Sequence, residues 1–148
     1  MKAIYVDPRA AAEPPVARRP VSAVMSYPVA TVSRTVSLAD ALRRMVTSGV
    51  RHLVVLDDAG TYFGVVSDRM IGAAWSADPG GLSTQPISSI VDNAGPTVST
   101  DTAVVAAARA MRAAKTDAVA VVDPGGAVLG IVTGTDLISL LARYPAGS

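Results

Sequence analysis

"VRHLVVLDDAGTYFGVVS", residues 50–67, places an aliphatic run, an acidic turn ending in glycine, and a second aliphatic run in succession. That order reads as a strand "HLVVL" (52–56), a tight turn "DDAG" (57–60) and a strand "TYFGVV" (61–66). The same punctuation returns in "AVAVVDPGGAVLGIVTGTDLI", residues 118–138. Sliding the chain on itself by 66 positions lays residues 22–72 over 88–138 without a gap. Thr31-Val32-Ser33 then falls on Thr97-Val98-Ser99, and Arg43 and Met45 fall on Arg109 and Met111. Val55 and Asp57 meet Val121 and Asp123, while Gly60, Gly64 and Val66 meet Gly126, Gly130 and Val132. A register held over a whole supersecondary unit marks an internal duplication.

Working outward from the hairpin completes the unit. "VATVS" (29–33) reads as a short strand. Ser37 and Asp40 stand in capping spacing before a helix with Leu38, Ala41, Leu42, Met45 and Val46 on one face, and Gly49 is placed to end it. A short helix follows from Asp68 to Ala77. The second copy repeats the order: a strand near 96–99, an Ala-rich helix 103–114, strands 118–122 and 127–132 around the turn "DPGG" (123–126), and a helix 135–143 closed by Pro145. The fold class is α+β, a βαββα unit twice. One copy has too few residues to cover both faces of its own sheet. Two copies packed about a pseudo-twofold axis bury a shared core and form two matching clefts. The implied division is an N-terminal arm (1–20, rich in Pro and Ala), a first repeat (21–77), a linker (78–85), a second repeat (86–143) and a tail (144–148).

Composition narrows the function. Thirteen basic and twelve acidic residues leave a formal charge of +1, which gives no electrostatic argument for nucleic acid or an anionic membrane. Half the residues are hydrophobic and 4% aromatic, so the core is built from Ala, Val, Leu, Ile and Met. There are no cysteines, which excludes disulfides, thiolate metal sites and a cysteine nucleophile and suits a reducing cytoplasm. The start "MKAIYVDPRAAAEPP" lacks the apolar run of a signal peptide, and no stretch approaches the ~20 apolar residues of a membrane span. The one histidine, His52, has no companions for a metal, and no P-loop or dinucleotide fingerprint is present. The expectation is a cytoplasmic protein that is not an enzyme.

The duplicated unit, carried by the two stretches quoted above, resembles a tandem pair of CBS domains. The resemblance covers roughly residues 20–143 and rests on strand order, the Asp-x-x-Gly turn, and an ending of Gly, two aliphatics, Thr or Ser, and Asp three positions on. Two features depart from the family pattern. Val54 and Ala120 replace the proline that often opens the second strand, and the first ending has Met70 where the second has Asp136.

The later ending carries chemistry. Thr133 and Asp136 lie at a strand–helix junction, where unpaired backbone N–H groups and a partial positive charge receive phosphate. The Thr133 hydroxyl adds a donor, and Asp136 can accept from both hydroxyls of a ribose. Thr133-x-x-Asp136 fits a capping box equally well, and a cap needs no ligand. The resemblance implies that Thr133, Thr135 and Asp136 work with Ala30, Val50, Arg51 and His52 of the other repeat, which supply the adenine cage and charge for phosphate. Arg51 and His52 also read as ordinary surface or packed residues.

Met70 cannot accept a ribose hydroxyl. The corresponding second, weaker cleft would use Ser67, Arg69, Pro96, Thr116 and Ala118, with Asp117 placing a carboxylate near the purine position. It reads as apolar-filled, empty or adapted to another ligand. The function expected is a regulatory module that senses an adenine nucleotide or adenosyl compound (AMP, ADP, ATP or S-adenosylmethionine) with no required cofactor. It would act as a homodimer and signal to an unidentified regulated protein in trans. The alternative is a ligand-independent dimerisation or docking module with closed clefts.

Overall fold

The computed structural model of the chain describes residues 15–91 and 95–144. The first fourteen residues of the expected arm, Pro145 and the rest of the tail lie outside the described residues. The first repeat contains β1 (Thr31–Ser33), α1 (Leu38–Ser48), β2 (His52–Leu56), β3 (Tyr62–Ser67) and α2 (Asp68–Ala77). The second contains β4 (Thr97–Val98), α3 (Val104–Ala114), β5 (Ala118–Val122), β6 (Val128–Thr133) and α4 (Gly134–Arg143). Two βαββα units are present in the expected order.

Small differences have local causes. The first strand begins at Thr31 rather than residue 29, just beyond Pro28, which has no N–H to give a ladder. Helix α1 follows the expected chemistry: Ser37 accepts from the Asp40 N–H at its start, and Gly49 ends it at φ 68°. Helix α3 starts from Ala103, which has no side-chain oxygen to cap it. The hairpin turns are held by their aspartates. Asp57 Oδ1 accepts from the N–H groups of Ala59 and Thr61, and Asp123 Oδ1 from those of Gly125 and Ala127, all at 2.9 Å.

Each repeat forms a three-stranded sheet, ordered β1-β2-β3 and β4-β5-β6, with a parallel first pair and an antiparallel second pair. The registers are equivalent: His52 pairs with Ser67 and Ala118 with Thr133. Side chains of β2 alternate between two buried faces. Leu53 and Val55 meet α1 and α2 through Leu38, Ala41, Met45 and Ile71. Val54 points the other way, into a core shared with Ala118, Ala120 and Ile131. Val119 and Val121 repeat the outward pattern against Ala107 and Met111. Strands buried on both faces account for the continuous aliphatic runs that opened the reading. The layers run helices, sheet, sheet, helices.

The leading segments cross over between repeats. Val21 donates its N–H to Thr102 O (2.8 Å), Val104 donates to Arg19 O (2.8 Å), and the Val21 side chain is fully buried in the second repeat's core. Sixty-six positions later, Ile87 donates to Val36 O (2.8 Å), Leu38 donates to Gln85 O (3.0 Å), and Ile87 is fully buried in the first repeat's core. Each repeat is therefore completed by the segment that introduces the other. The segment 78–85 is not a free tether either, since Leu82 packs on the first core and its carbonyl accepts from the Ala39 N–H at 2.8 Å.

Candidate functional site

At one end of the paired sheets, the start of α4 faces the start of β2 and the segment leading into β1. The cleft between them has a volume of about 300 Å³, at the lower end of small-molecule sites. Its wall contains all seven residues singled out for it: Ala30, Val50, Arg51, His52, Thr133, Thr135 and Asp136. Ser26, Pro28, Val29, Gly49 and Ile131 complete it. Ala30 is held there because its carbonyl accepts from the Val54 N–H at 3.1 Å, a bond that a proline at position 54 could not make.

The two carboxylate oxygens of Asp136 have separate duties. Oδ2 accepts from the Thr133 N–H at 2.8 Å and the Thr133 hydroxyl at 3.1 Å, while Thr133 Oγ1 accepts from the Asp136 N–H at 3.3 Å. That is a capping box, so the cap reading of the sequence is met in full. Among the described residues Oδ1 accepts only from the hydroxyl of exposed Ser26, at 3.1 Å. A carboxylate oxygen has room for a second donor, and this one belongs to the cleft wall. A cap and a ligand group coexist on one side chain.

The phosphate end differs from the expectation. The Thr133 hydroxyl is engaged within the cap, and the Gly134 N–H donates to Asp117 O at 2.8 Å. Arg51 is 85% exposed, with Nε 3.8 Å from Asp68 Oδ2, a loose surface pairing. His52, whose side chain is 14% exposed, does not extend free into the cleft: its Nε2 lies 2.9 Å from Asp117 Oδ1. That hydrogen bond outweighs the opposing effect of burial and holds the Asp117 carboxyl below its usual range, with a lesser contribution from nearby positive charge, including that of Arg69.

Among the described residues the second cleft is open rather than apolar-filled. Two adjoining cavities of about 480 and 470 Å³ have Met70 and Thr116 in both walls. Pro96 and Ala118 line the first, with Tyr62, Val65, Ile90 and Val91. Ser67 and Arg69 line the second, with Ala73, Lys115 and Asp117. Met70 stands where Asp136 stands in the other repeat. Ser67 still caps α2 by accepting from the Met70 N–H at 3.2 Å, but a thioether cannot return the bond. The Tyr62 phenol in this wall is half-buried, which pushes its pKa up. Phe63 instead packs on the first core beneath the Arg34 guanidinium, and Trp75 is 52% exposed on α2.

Ser26 and Ile131 are the informative omissions from the sequence reading. The segment around Ser26 bridges to β6 through Ser26 N–H to Ile131 O at 2.9 Å and the reverse bond at 3.1 Å. Ser26 corresponds to Asp92 under the 66-residue shift, so the repeat offered no matching hydroxyl to draw attention to it. Among the described residues no cluster of three or more His, Cys, Asp or Glu side chains could hold a metal ion, and no helix is long and apolar enough to cross a membrane.

Comparison with known proteins agrees with this architecture. The model of the CBS domain matches residues 21–73 and 86–143. A CBS domain-containing protein of Dictyostelium discoideum is 28% identical over 132 residues, covering 83% of this chain and 91% of that protein. The CBS domain pair of protein MJ0100 in complex with 5′-methylthioadenosine and S-adenosyl-L-methionine superposes with a TM-score of 0.74 at 26% identity, covering 84% of this chain and 96% of that one. CBSX2 in complex with AMP gives a TM-score of 0.71 at 26% identity, with 84% and 97% covered.

Proposed function

The chain belongs to the CBS-domain family, and we propose that it is a regulatory ligand-sensing module whose Asp136 cleft binds an adenine nucleotide or adenosyl compound. The observation that carries this reading is the division of labour on Asp136. Its Oδ2 holds the start of α4 while Oδ1 looks onto an open cleft with one exchangeable serine hydroxyl as partner. A ribose hydroxyl can take or share the place of Ser26. The apolar wall of Pro28, Val29, Ala30, Val50 and Ile131 suits the face of a purine. Adenosyl ligands in two similar CBS pairs support the same class of ligand here.

Binding would bridge the two repeats, because Asp136 comes from the second and Ala30, Val50 and His52 from the first. A ligand that favours one relative setting of the repeats shifts the population toward it, and a partner protein reads that shift. The module acts without catalysis, as a homodimer, on a protein supplied in trans. The alternative of closed clefts is disfavoured by their open volumes.

Calorimetric titration with AMP, ADP, ATP and S-adenosylmethionine tests this reading, repeated with AMP on Asp136→Ala and with 2′-deoxy-AMP on the unaltered chain. The expected result is a saturable site for at least one ligand, with AMP-type binding weakened by the substitution and by loss of the 2′-hydroxyl. A charge-assisted hydrogen bond of ~1.5–3 kcal/mol corresponds to a loss of about tenfold or more. No heat and no ligand-induced rise in Tm with any of the four would leave the docking module standing and this reading overturned.

A further inference from the structure

The 66-residue shift lays the helical layer of one repeat over that of the other, and the two differ in size at matching places. Leu42, Trp75 and Leu82 in the first layer correspond to Ala108, Leu141 and Val16 in the second. Leu42 and Leu82 fill space against the first core. Their smaller counterparts leave a groove of about 230 Å³ between α3, α4 and the segment Pro15–Arg18. Its wall is aliphatic throughout, with Val105 and Ala108 from α3 and Leu137 and Leu141 from α4. Among the described residues it shares none with the walls of the Asp136 and Met70 clefts.

Arginines border this groove at positions where the first repeat is uncharged. Arg112 stands where the first repeat has Val46, Arg143 where it has Ala77, and Arg19 where it has Gln85. Val105, Ala108 and Arg112 are three and four residues apart and so share one face of α3. Arg19 and Arg143 flank a hollow of about 360 Å³ that meets the groove at Leu140, and Arg19 lies 5.4 Å over the Tyr144 ring. Among the described residues none of these three arginines is in an ion pair. Helix α3 contains no acidic residue, and the one acid of α4, Asp136, is engaged in the cap at its start. The fold does not need the arginines to offset helix dipoles, since α1 and α2 close without a basic residue in the last turn. The near-neutral total charge conceals a local excess of cations beside an apolar groove.

We propose that this face of the second repeat docks an acidic amphipathic helix of a partner protein. Apolar side chains at helical spacing enter the groove, and flanking carboxylates meet Arg19, Arg112 and Arg143. Charge argues against two other occupants. The stretch 1–14 has Lys2 and Arg9 against Asp7 and Glu13, so its side chains carry no net acidity. The first repeat of a second copy offers Asp40, already paired with Arg43, and Asp68, which lies beside Arg51. The proposal names the chemistry of the partner in trans, and it stands whether or not the Asp136 cleft takes an adenosyl compound.

Fluorescence anisotropy of the full chain with two labelled helical peptides of about 18 residues, roughly five turns, tests the proposal. Both peptides carry Leu at positions i, i+3, i+4 and i+7; one has Glu on the flanking positions and the other Lys. The Glu peptide binds the unaltered chain at least about tenfold more tightly than the Lys peptide, the scale of one charge-assisted contact. Leu141→Asp weakens the Glu peptide by about tenfold. The double substitution Arg112→Glu, Arg143→Glu does the same and strengthens the Lys peptide. Arg44→Glu on α1 changes neither. All the substituted residues are exposed, so each variant keeps its Tm within about 2 °C and lost binding cannot be ascribed to unfolding. Equal binding of the two peptides, binding of neither, or an equal effect of Arg44→Glu overturns the proposal. With no peptide bound, two readouts reassign the face. Sedimentation with phosphatidylserine vesicles that the double substitution abolishes makes it a membrane contact, and dissociation of a dimer by the same variant makes it a contact between copies.

Discussion

His52 Nε2 stands 2.9 Å from Asp117 Oδ1, joining a side chain in the wall of the Asp136 cleft to one in the wall of the Met70 cleft. The 66-residue shift pairs His52 with Ala118 and Asp117 with Arg51, so the pseudo-twofold axis does not repeat this bond. It is a side-chain link between the two clefts that the repeat does not duplicate. A ligand that moves the imidazole changes the surroundings of Asp117, and by reciprocity a ligand beside Asp117 acts on His52.

The pair has a pH signature. The folded-state pKa of Asp117 is depressed, first by the His52 hydrogen bond and then by nearby positive charge. Its contribution to stability is present above the ordinary carboxylate value of ~3.9 and is lost as pH falls through the lower folded value. Urea unfolding of the chain and of Asp117→Asn should therefore differ by a constant amount near neutrality and converge in acid. The Asp117 side chain is 55% exposed, so the difference is expected to stay below about 1 kcal/mol. A gap that widens toward low pH would contradict the sign.

The two strand–helix junctions should respond unequally to loss of their caps. Thr133 and Asp136 bond reciprocally, whereas Ser67 caps α2 without a returning bond from Met70. Thr133→Ala removes one half of a capping box and is expected to cost about 1–2 kcal/mol, against about 0.5–1 kcal/mol for Ser67→Ala. Denaturant midpoints of the two variants measure the difference. Thr133→Ser, which keeps the hydroxyl, should recover most of the stability.

Much of this was legible because repetition constrains both local structure and topology. The shift that aligns Thr31 with Thr97 and Gly60 with Gly126 carried the strand order and the hairpins, and the resemblance to a CBS pair, added to the ending at Thr133 and Asp136, implied the seven residues of the Asp136 cleft. A shift cannot tell which copy a segment packs upon. Val21 and Ile87 are equivalent under it whether each stays home or crosses over, so the exchange of leading segments had no sequence signal. Side-chain direction was equally hidden. His52 was expected to reach a phosphate and instead meets Asp117, because a neighbour from the other repeat offered a carboxylate within bonding distance. Ser26 escaped notice because its role depends on the bridge to Ile131, a pairing 105 positions away (131 − 26).

Gly130 is where that bridge comes close. A Cβ there would stand 2.5 Å from Met25 Sδ, 3.0 Å from Met25 Cγ and 3.2 Å from Ser26 O. The sulfur can swing aside, but the Ser26 carbonyl is backbone, and the Ser26 N–H is already bonded to Ile131 O. Gly130→Ala should push the Met25–Ser26 segment off β6, costing about 1–3 kcal/mol as overpacking does. It should also withdraw the Ser26 hydroxyl from Asp136, changing ligand affinity at that cleft although residue 130 is not in its wall. Hydrogen exchange at the Ser26 amide would report the loosening directly, and unchanged protection would show that the segment absorbs the extra methyl.

The exchanged segments make the two repeats one folding unit. Ile87 is fully buried against Leu38, Ala41, Leu53 and Ile71 of the first repeat, and Val21 against Ala107, Met111 and Val119 of the second. Truncation of a fully buried isoleucine to alanine costs about 2–5 kcal/mol, a large part of a domain's net stability of ~5–15 kcal/mol. Ile87→Ala should therefore destabilise the repeat it does not belong to by sequence. Hydrogen exchange should show protection falling first in β2 and β3, ahead of β5 and β6. A fragment spanning residues 86–143 carries Ile87 but lacks Val21 and the Pro20 bridge to Ala103, so it should fail to melt cooperatively alone. Mixing it with a fragment spanning residues 15–85 restores both exchanges and should recover a cooperative transition whose midpoint rises with concentration. Independent cooperative melting of the 86–143 fragment would mean that the second sheet and its two helices bury enough apolar surface by themselves, and that Val21 only closes a gap.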